Sequence, residues 1–176
     1  MSIMNIALTN LGKYNEGELV YKWLELPATE AEIAEALEEI GISDEPDEEG
    51  RYYEEYFITD YECDFLRIGE YDNIDELNEI AEQLDGLADY EQKIVEALLA
   101  DGFELEEAIN KIDDCYYYDN CDTMGDVAYR MYEEGLFGAT LPEWAGNYFD
   151  WDAYGRDLEY YGHWIATDTG YIEVVY

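Results

Sequence analysis

The sequence predicts an α+β protein built as an elongated chain of three small domains. Three observations lead to this prediction. A strand–strand–helix–strand pattern opens the chain, three amphipathic helices fill its middle, and short helices followed by a β-hairpin close it. The 176 residues are enough to bury a hydrophobic core. We place the domains at residues 1–62, 63–113 and 114–176.

The N-terminal domain is predicted to be a three-stranded antiparallel sheet with one helix. The segments rich in strand-forming residues are 3–9, 18–26 and 52–61. Asn10 to Gly17 is predicted to be a turn. Thr29 followed by Glu32 is a capping box, which predicts the start of a helix. The apolar residues at helical spacing behind it, which we expect to face the core, are Ile33, Ala34, Leu37 and Ile40.

The central domain is predicted to be a small helical bundle. One helix follows a cap at Asp72 or Asn73, a second runs from Tyr90 to Gly102, and a third begins at Leu105. Their apolar residues recur every three to four positions, and the connections between them are short.

The C-terminal domain is predicted to be mixed helices with a closing β-hairpin. One helix begins at Asp122 and stops at Gly135, and a short helical piece follows Leu141–Pro142. A further helix is capped by Asp150 and continues through Leu158. The hairpin pairs 162–167 with 171–176 about the turn at Asp168 to Gly170.

Negative charge is the dominant feature of the composition. The chain has 46 acidic residues against eight lysines and arginines, which gives a formal charge of −38 spread along the whole length. Such a surface cannot bind nucleic acid by neutralising phosphates, and it cannot attach to an anionic membrane. No apolar run is long enough to cross a membrane, and no signal peptide pattern precedes the three cysteines. We therefore expect a reduced, cytoplasmic protein.

The sequence contains no pattern typical of a metal, cofactor or catalytic site. Asp60, Glu62 and Asp64 resemble the opening of an EF-hand, but the loop glycine and the final glutamate are missing. Cys115 and Cys121 are too far apart for a zinc pair, and His163 is the one histidine. Carboxylates are so frequent that none stands out as an acid or base. We predict a protein that is not an enzyme and uses no cofactor.

The distribution of charge suggests mimicry of DNA. On the predicted helix after Thr29, glutamates occupy the face opposite the apolar one, and no basic residue lies one turn away to relieve their repulsion. Duplex DNA has one charge per about 1.7 Å of axis, so 38 charges equal roughly 65 Å of duplex and a dimer roughly 130 Å. Such a surface would compete for proteins that bind DNA.

Tyrosine is the second unusual feature, with 19 residues. Three are adjacent at positions 116–118 and cannot all face one core. Because tyrosine is favoured in interfaces, we predict a subunit contact in this part of the chain. The residues assigned to it are Tyr116, Tyr117, Tyr118, Met124, Tyr129 and Tyr132.

Several segments resemble the ArdA-type antirestriction proteins. The opening IALTNLGKYNEGELVYKWLELP, EEYFITDYE at 54–62 and CDTMGDVAYRMYEEG at 121–135 are similar to that family. So is LPEWAGNYFDWDAYGRDLEYYG, which resembles the family's antirestriction motif. The residues that match its core are Asp152, Ala153, Tyr154, Gly155, Arg156, Asp157 and Leu158. The likeness extends from near the first residue to the last, and is weakest at 63–113.

The resemblance implies a homodimeric DNA mimic from a mobile element that occupies the DNA-binding site of type I restriction–modification enzymes. The target would be their DNA-recognition and methyltransferase core. The carboxylates expected to form the mimic surface are Glu30, Glu32, Glu35, Glu38, Glu39, Asp44, Glu45, Asp47, Glu48, Glu49, Glu54 and Glu55. The alternative is an acidic, halophile-type protein or another interaction domain without DNA mimicry. A calcium buffer would instead need repeated D-x-D-x-D-G loops.

Overall fold

The computed structural model describes residues 3–43, 45–47, 49–136, 138 and 141–176. The chain divides into two compact units, Met1–Ala88 and Asp89–Tyr176. In the described residues, each unit contains a three-stranded antiparallel sheet and several helices. The predicted α+β class is therefore confirmed, with its N-terminal sheet and C-terminal hairpin. The division into three domains, with boundaries at 62 and 113, remains a prediction.

The first unit has its earliest strand at the centre of the sheet, in the order β2-β1-β3. The strands are β1 (Met4–Asn10), β2 (Tyr21–Leu26) and β3 (Tyr56–Cys63). The helices are α1 (Leu11–Asn15), α2 (Glu30–Glu39) and α3 (Ile74–Asp85). Ala7 of β1 lies opposite Trp23 of β2, and the pairing of β1 with β3 shifts by one residue after Ala7. This shift is a β-bulge.

Asn10 explains why the predicted turn after β1 is wrong. The side chain of Asn10 is completely buried; its Oδ1 accepts a hydrogen bond from Lys13 N–H at 2.9 Å, which caps α1. Its Nδ2 donates to the Ile40 carbonyl at 3.0 Å, at the end of α2. One polar side chain therefore starts one helix and holds the end of another, and the chain forms a short helix where the spacing suggested only a turn.

The buried side of α2 differs by one residue from the predicted one. Ile33, Ala36 and Ile40 are buried, and Leu37 is half-buried. Ala34, which the spacing predicted to face the core, is exposed. The buried residues follow the i, i+3, i+7 series, so the helix is rotated slightly from the predicted orientation.

The second unit contains a strand that the sequence analysis did not predict. Its strands are β4 (Cys115–Asp119), β5 (His163–Thr167) and β6 (Gly170–Val174). Its helices are α4 (Asp89–Asp101), α5 (Leu105–Asn110), α6 (Met124–Glu133), α7 (Glu143–Gly146) and α8 (Trp151–Tyr161). The sheet order is β4-β6-β5, so the predicted hairpin is confirmed and β4 joins it as a third strand.

Helix ends in the second unit follow local capping chemistry. Thr123 and not Asp122 caps α6, in a capping box with Asp126. Asp150 caps α8 as predicted, but the helix runs past Leu158 to Tyr161. The core beside them is formed by buried Tyr118, Cys121, Met124 and Val127. Among the described residues, no helix combines the length and hydrophobicity that a membrane-crossing segment needs.

Candidate partner-binding surface

Helix α2 carries a dense row of negative charge. It has five carboxylates and no basic residue, and all five side chains are exposed: Glu30, Glu32, Glu35, Glu38 and Glu39. Ten residues at a rise of 1.5 Å span about 15 Å, so the helix carries one carboxylate per about 3 Å of axis. The apolar stripe on its other side anchors it to the sheet.

Glu32 has a structural role besides its charge. Its Oε2 accepts a hydrogen bond from the Thr29 backbone N–H at 2.8 Å and from the Thr29 hydroxyl at 2.7 Å. The Glu32 N–H donates in return to the Thr29 hydroxyl oxygen, so the predicted capping box is confirmed. The hydrogen bonds from Thr29 hold the pKa of Glu32 below its ordinary value because they favour the charged form.

The negative charge of Glu39 is partly neutralised by a lysine on another element. Lys22 Nζ, on β2, lies 2.7 Å from the Glu39 carboxylate. This hydrogen bond raises the pKa of Lys22. Helical spacing could not reveal the pair, because the two residues belong to a strand and a helix.

Arg51 anchors the acidic loop between α2 and β3. Its guanidinium lies 2.7 Å from Glu49, 2.8 Å from Glu16 and 3.0 Å from Asp47. The Arg51 backbone N–H, which donates to Asp47, is the largest of the causes that hold the pKa of Asp47 below its ordinary value. Asp47 and Glu49 are therefore partly neutralised and serve the loop's own structure.

The other predicted carboxylates of this region fall into two groups. Glu45, Glu54 and Glu55 are exposed. Asp44 and Glu48 lie outside the described residues.

Helix α3 is a second acidic helix that the sequence analysis did not assign to the surface. Its five carboxylates are exposed and it has no basic residue: Asp75, Glu76, Glu79, Glu82 and Asp85. Twelve residues span about 18 Å, which gives one carboxylate per about 3.6 Å. The acidic residues are visible in the sequence, but their spacing by itself predicts only the polar side of a bundle helix.

The side chain of Asn78 on α3 forms hydrogen bonds with the backbone just before α2. The Ala28 N–H donates to Asn78 Oδ1 at 2.7 Å, and Asn78 Nδ2 donates to the Ala28 carbonyl at 3.0 Å. Both backbone groups of Ala28 are thus bound by one α3 side chain. The backbone that leads into α2 is therefore tied to α3 at Asn78.

Helix α8 carries the motif-like segment, and its central glycine lies against α6. A Cβ added at Gly155 would lie 2.5 Å from the carbonyl carbon and oxygen of Met124 and 2.7 Å from the Gly125 nitrogen. These atoms are backbone, so they cannot rotate away. A Cβ on Gly125 would in turn meet the side chain of Asp152. A side chain at position 155 would therefore force the two helices apart.

The remaining motif residues surround that contact. Asp152, Arg156 and Asp157 are exposed, while Ala153, Tyr154 and Leu158 are half-buried. Leu158 packs on the core formed by Tyr118 and Val127. The segment thus has an inner side that packs and an outer side with three charges.

A family model for the antirestriction protein ArdA matches residues 6–173. The chain belongs to the ArdA antirestriction protein family. The suspected resemblance is therefore confirmed over nearly the whole sequence. No curated protein matches the chain at a significant level.

The six residues assigned to an ArdA dimer contact differ in exposure. Tyr116 and Tyr129 are exposed, and Tyr117 and Tyr132 are half-buried. Tyr118 and Met124 are 4% and 7% exposed and belong to the core of their own unit. Tyr118 alternates in β4 with outward-facing neighbours, so only the other four have surface to offer a partner.

The described part of this ArdA chain contains no group of three histidine, cysteine or acidic side chains that could hold a metal. Burial raises the pKa values of the Cys115 and Cys121 thiols, so neither is activated as a thiolate. His163 Nε2 forms a hydrogen bond with the Asp101 carboxylate at 2.8 Å, and its Nδ1 forms one with the Tyr176 hydroxyl at 2.6 Å. These contacts hold the imidazole within the second unit.

Proposed function

We propose that this ArdA-family chain inhibits type I restriction–modification enzymes by mimicking DNA. Its acidic helices would occupy the channel in which the DNA-recognition and methyltransferase core holds duplex. Incoming mobile DNA would then escape both cleavage and methylation. The observation that carries the proposal is that helices α2 and α3 of the first unit together expose ten carboxylates and no base.

The charge density of these helices supports the proposal. One strand of duplex DNA has a phosphate every 3.4 Å along the axis. The carboxylates of α2 and α3 recur every 3 to 3.6 Å by the geometry of the α-helix. A protein channel that neutralises phosphates with lysine and arginine would therefore meet a similar number of negative charges per unit length.

Most of the few basic residues are engaged within the chain, which keeps the surface negative. In the part of the chain that the structure describes, six of the eight contact a carboxylate or the face of an aromatic ring: Lys13, Lys22, Arg51, Lys93, Lys111 and Arg130. A surface of this kind repels nucleic acid and membranes, so the expected partner is a basic protein. We assign no catalytic step and no cofactor to the chain.

We also propose that the protein acts as a homodimer, as the family resemblance implies. The exposed members of the predicted contact, Tyr116 and Tyr129, are the residues to test first. In this view the motif on α8 keeps α6 in position, and α6 presents Tyr129 and Tyr132 to the partner copy.

A displacement titration tests the function. A purified type I enzyme is bound to fluorescent duplex, and the protein is added at several salt concentrations. We expect complete release of the duplex, weaker inhibition as salt rises, and no binding of the protein to duplex alone. Binding to duplex at moderate salt, or no release at any salt, would overturn the proposal. Folding that requires molar salt would favour the halophile-type alternative.

A further inference from the structure

The sheet of the first unit has a second face whose aromatic side chains are partly open to solvent. Strand alternation directs Leu24 and Leu26 into the core. Tyr21 and Trp23, which precede them on β2, point the opposite way and are 52% and 40% exposed. Apolar side chains that form a contiguous exposed patch often mark a site of contact with a partner.

These residues line a groove of about 490 Å³, which we call the aromatic groove. Four rings form its walls, from Tyr14, Tyr21, Trp23 and Phe57. Tyr14 and Phe57 are packed edge to face with their centroids 5.1 Å apart. Ala7 and Thr59 contribute to the lining, so small side chains leave the space between the rings open.

The groove also has acidic groups and no basic one. Asp60 and Glu70 are exposed and belong to its lining. Aromatic faces attract cations, and carboxylates beside them add to the attraction. The chemistry therefore fits a positively charged side chain with an apolar stem.

A second copy of this chain is a poor occupant. Six of its eight basic side chains are engaged in contacts of their own, and each copy carries a charge of −38. Arginine fits better than lysine, because its guanidinium is planar, weakly hydrated and able to stack on rings. Arginine is also the cation that proteins use most often at interface hot spots.

We propose that the aromatic groove binds an arginine side chain of the inhibited enzyme. This inference rests on the proposed function for the identity of the enzyme, but the groove's preference for arginine can be tested without it. The contact would supply affinity that a purely electrostatic copy of DNA lacks. It would also depend less on salt than the exposed carboxylate contacts do, since partly buried charge contacts are screened less.

The first test uses the free protein and a small probe. N-acetyl-arginine amide is titrated at physiological salt while the four tryptophan indole signals are followed by NMR. The neutral isostere N-acetyl-citrulline amide is the control. We expect a saturable shift of the Trp23 signal with the arginine probe alone. Equal shifts with both probes, equal shifts of all four indoles, or no shift would each overturn the inference.

The second test compares two aromatic variants as inhibitors of the enzyme. Trp23→Leu should raise the inhibition constant about 5- to 30-fold with little change in its salt dependence, because no charge is lost. Tyr90→Leu removes a ring on α4 that is 53% exposed and outside the groove, and should change little. If Trp23→Leu unfolds, Tyr21→Leu takes its place.

The two proposals fail in different ways. An inhibitor whose Trp23→Leu and Tyr21→Leu forms act like wild type would contradict the groove and leave the DNA mimicry intact. A protein that binds the arginine probe at Trp23 but releases no duplex would contradict the mimicry and support the groove as a cation site.

Discussion

Helices α2 and α8 are both candidate functional elements, but they differ in what a substitution would disturb. The carboxylates of α2 are exposed, and several have no role in packing. Gly155 of α8 is buried, and its missing side chain lets the helix approach the backbone of α6. One exposed charge can therefore be removed with little effect. One substitution at a tight backbone contact, in contrast, disturbs the packing of two helices.

The largest effect is expected at the α6–α8 contact. Gly155→Ala should lower the free energy of unfolding of the second unit by about 3 kcal/mol or more, because the new Cβ meets backbone that cannot move aside. Urea denaturation followed by tryptophan fluorescence measures the change. Gly146→Ala is the matched control, since its Cβ would have its nearest neighbour at 3.7 Å. Equal stability of the two variants would show that the contact is not tight.

Charge removal on α2 and α3 is expected to have the next largest effect. The fourfold change comprises Glu35→Gln, Glu38→Gln, Glu79→Gln and Asp85→Asn. If each contact contributes about 0.5 kcal/mol, as exposed charges do, inhibition weakens roughly 30-fold and its salt dependence flattens. Glu38→Gln alone should cost less than about fivefold. The measurement is the inhibition constant against salt concentration.

The matched control is a second fourfold variant, which loses the same number of negative charges from the second unit. Its members are Glu96→Gln, Glu106→Gln, Asp122→Asn and Glu134→Gln, all at exposed positions. Equal weakening by both sets would mean that net charge and not these two helices determines inhibition. One single variant that abolishes inhibition while the fold stays intact would contradict charge mimicry altogether.

Substitutions in the two capping boxes test whether inhibition depends on α2 in particular or only on the stability of the protein. Thr29→Ala on α2 and Thr123→Ala on α6 should each cost about 1 kcal/mol of stability, because each removes the acceptor for a first-turn N–H. Thr29→Ala should also weaken inhibition, since the first turn of α2 then frays and its carboxylates move. Thr123→Ala should leave inhibition unchanged when the variants are compared at equal concentration of folded protein. If Thr123→Ala weakens inhibition as much as Thr29→Ala does, the result would argue against α2 as the surface that contacts the enzyme.

The smallest effect is expected at Glu173 on β6. Burial raises the pKa of Glu173 above its ordinary value, so its charged form is less favourable in the folded state. At neutral pH this carboxylate opposes folding, and the cost disappears as pH falls below its ordinary pKa. Glu173→Gln should therefore raise the melting temperature slightly at pH 7 and not at pH 3.5. Calorimetry at the two pH values makes the comparison, and a lower melting temperature at pH 7 would contradict it.

Features that depend on neighbouring residues could be predicted from the sequence. The capping box at Thr29 and the cap at Asn73 were predictable because their hydrogen bonds span two or three positions. The closing hairpin was predictable for the same reason. The charge and the likeness to the ArdA family also follow from residue identity alone, and the family assignment was confirmed.

Contacts between distant positions determine which of those residues are available to a partner. Arg51 binds Glu16, 35 positions away, and strand β4 pairs with β6 more than 50 positions further on. The same pairing makes Tyr118 a core residue, although its neighbour Tyr116 is exposed. Gly155 could be recognised as a motif residue but not as the contact that lets α8 reach α6. Ion pairs, strand pairing and close helix packing join residues that are distant in the sequence. They therefore cannot be predicted from the spacing of neighbouring residues.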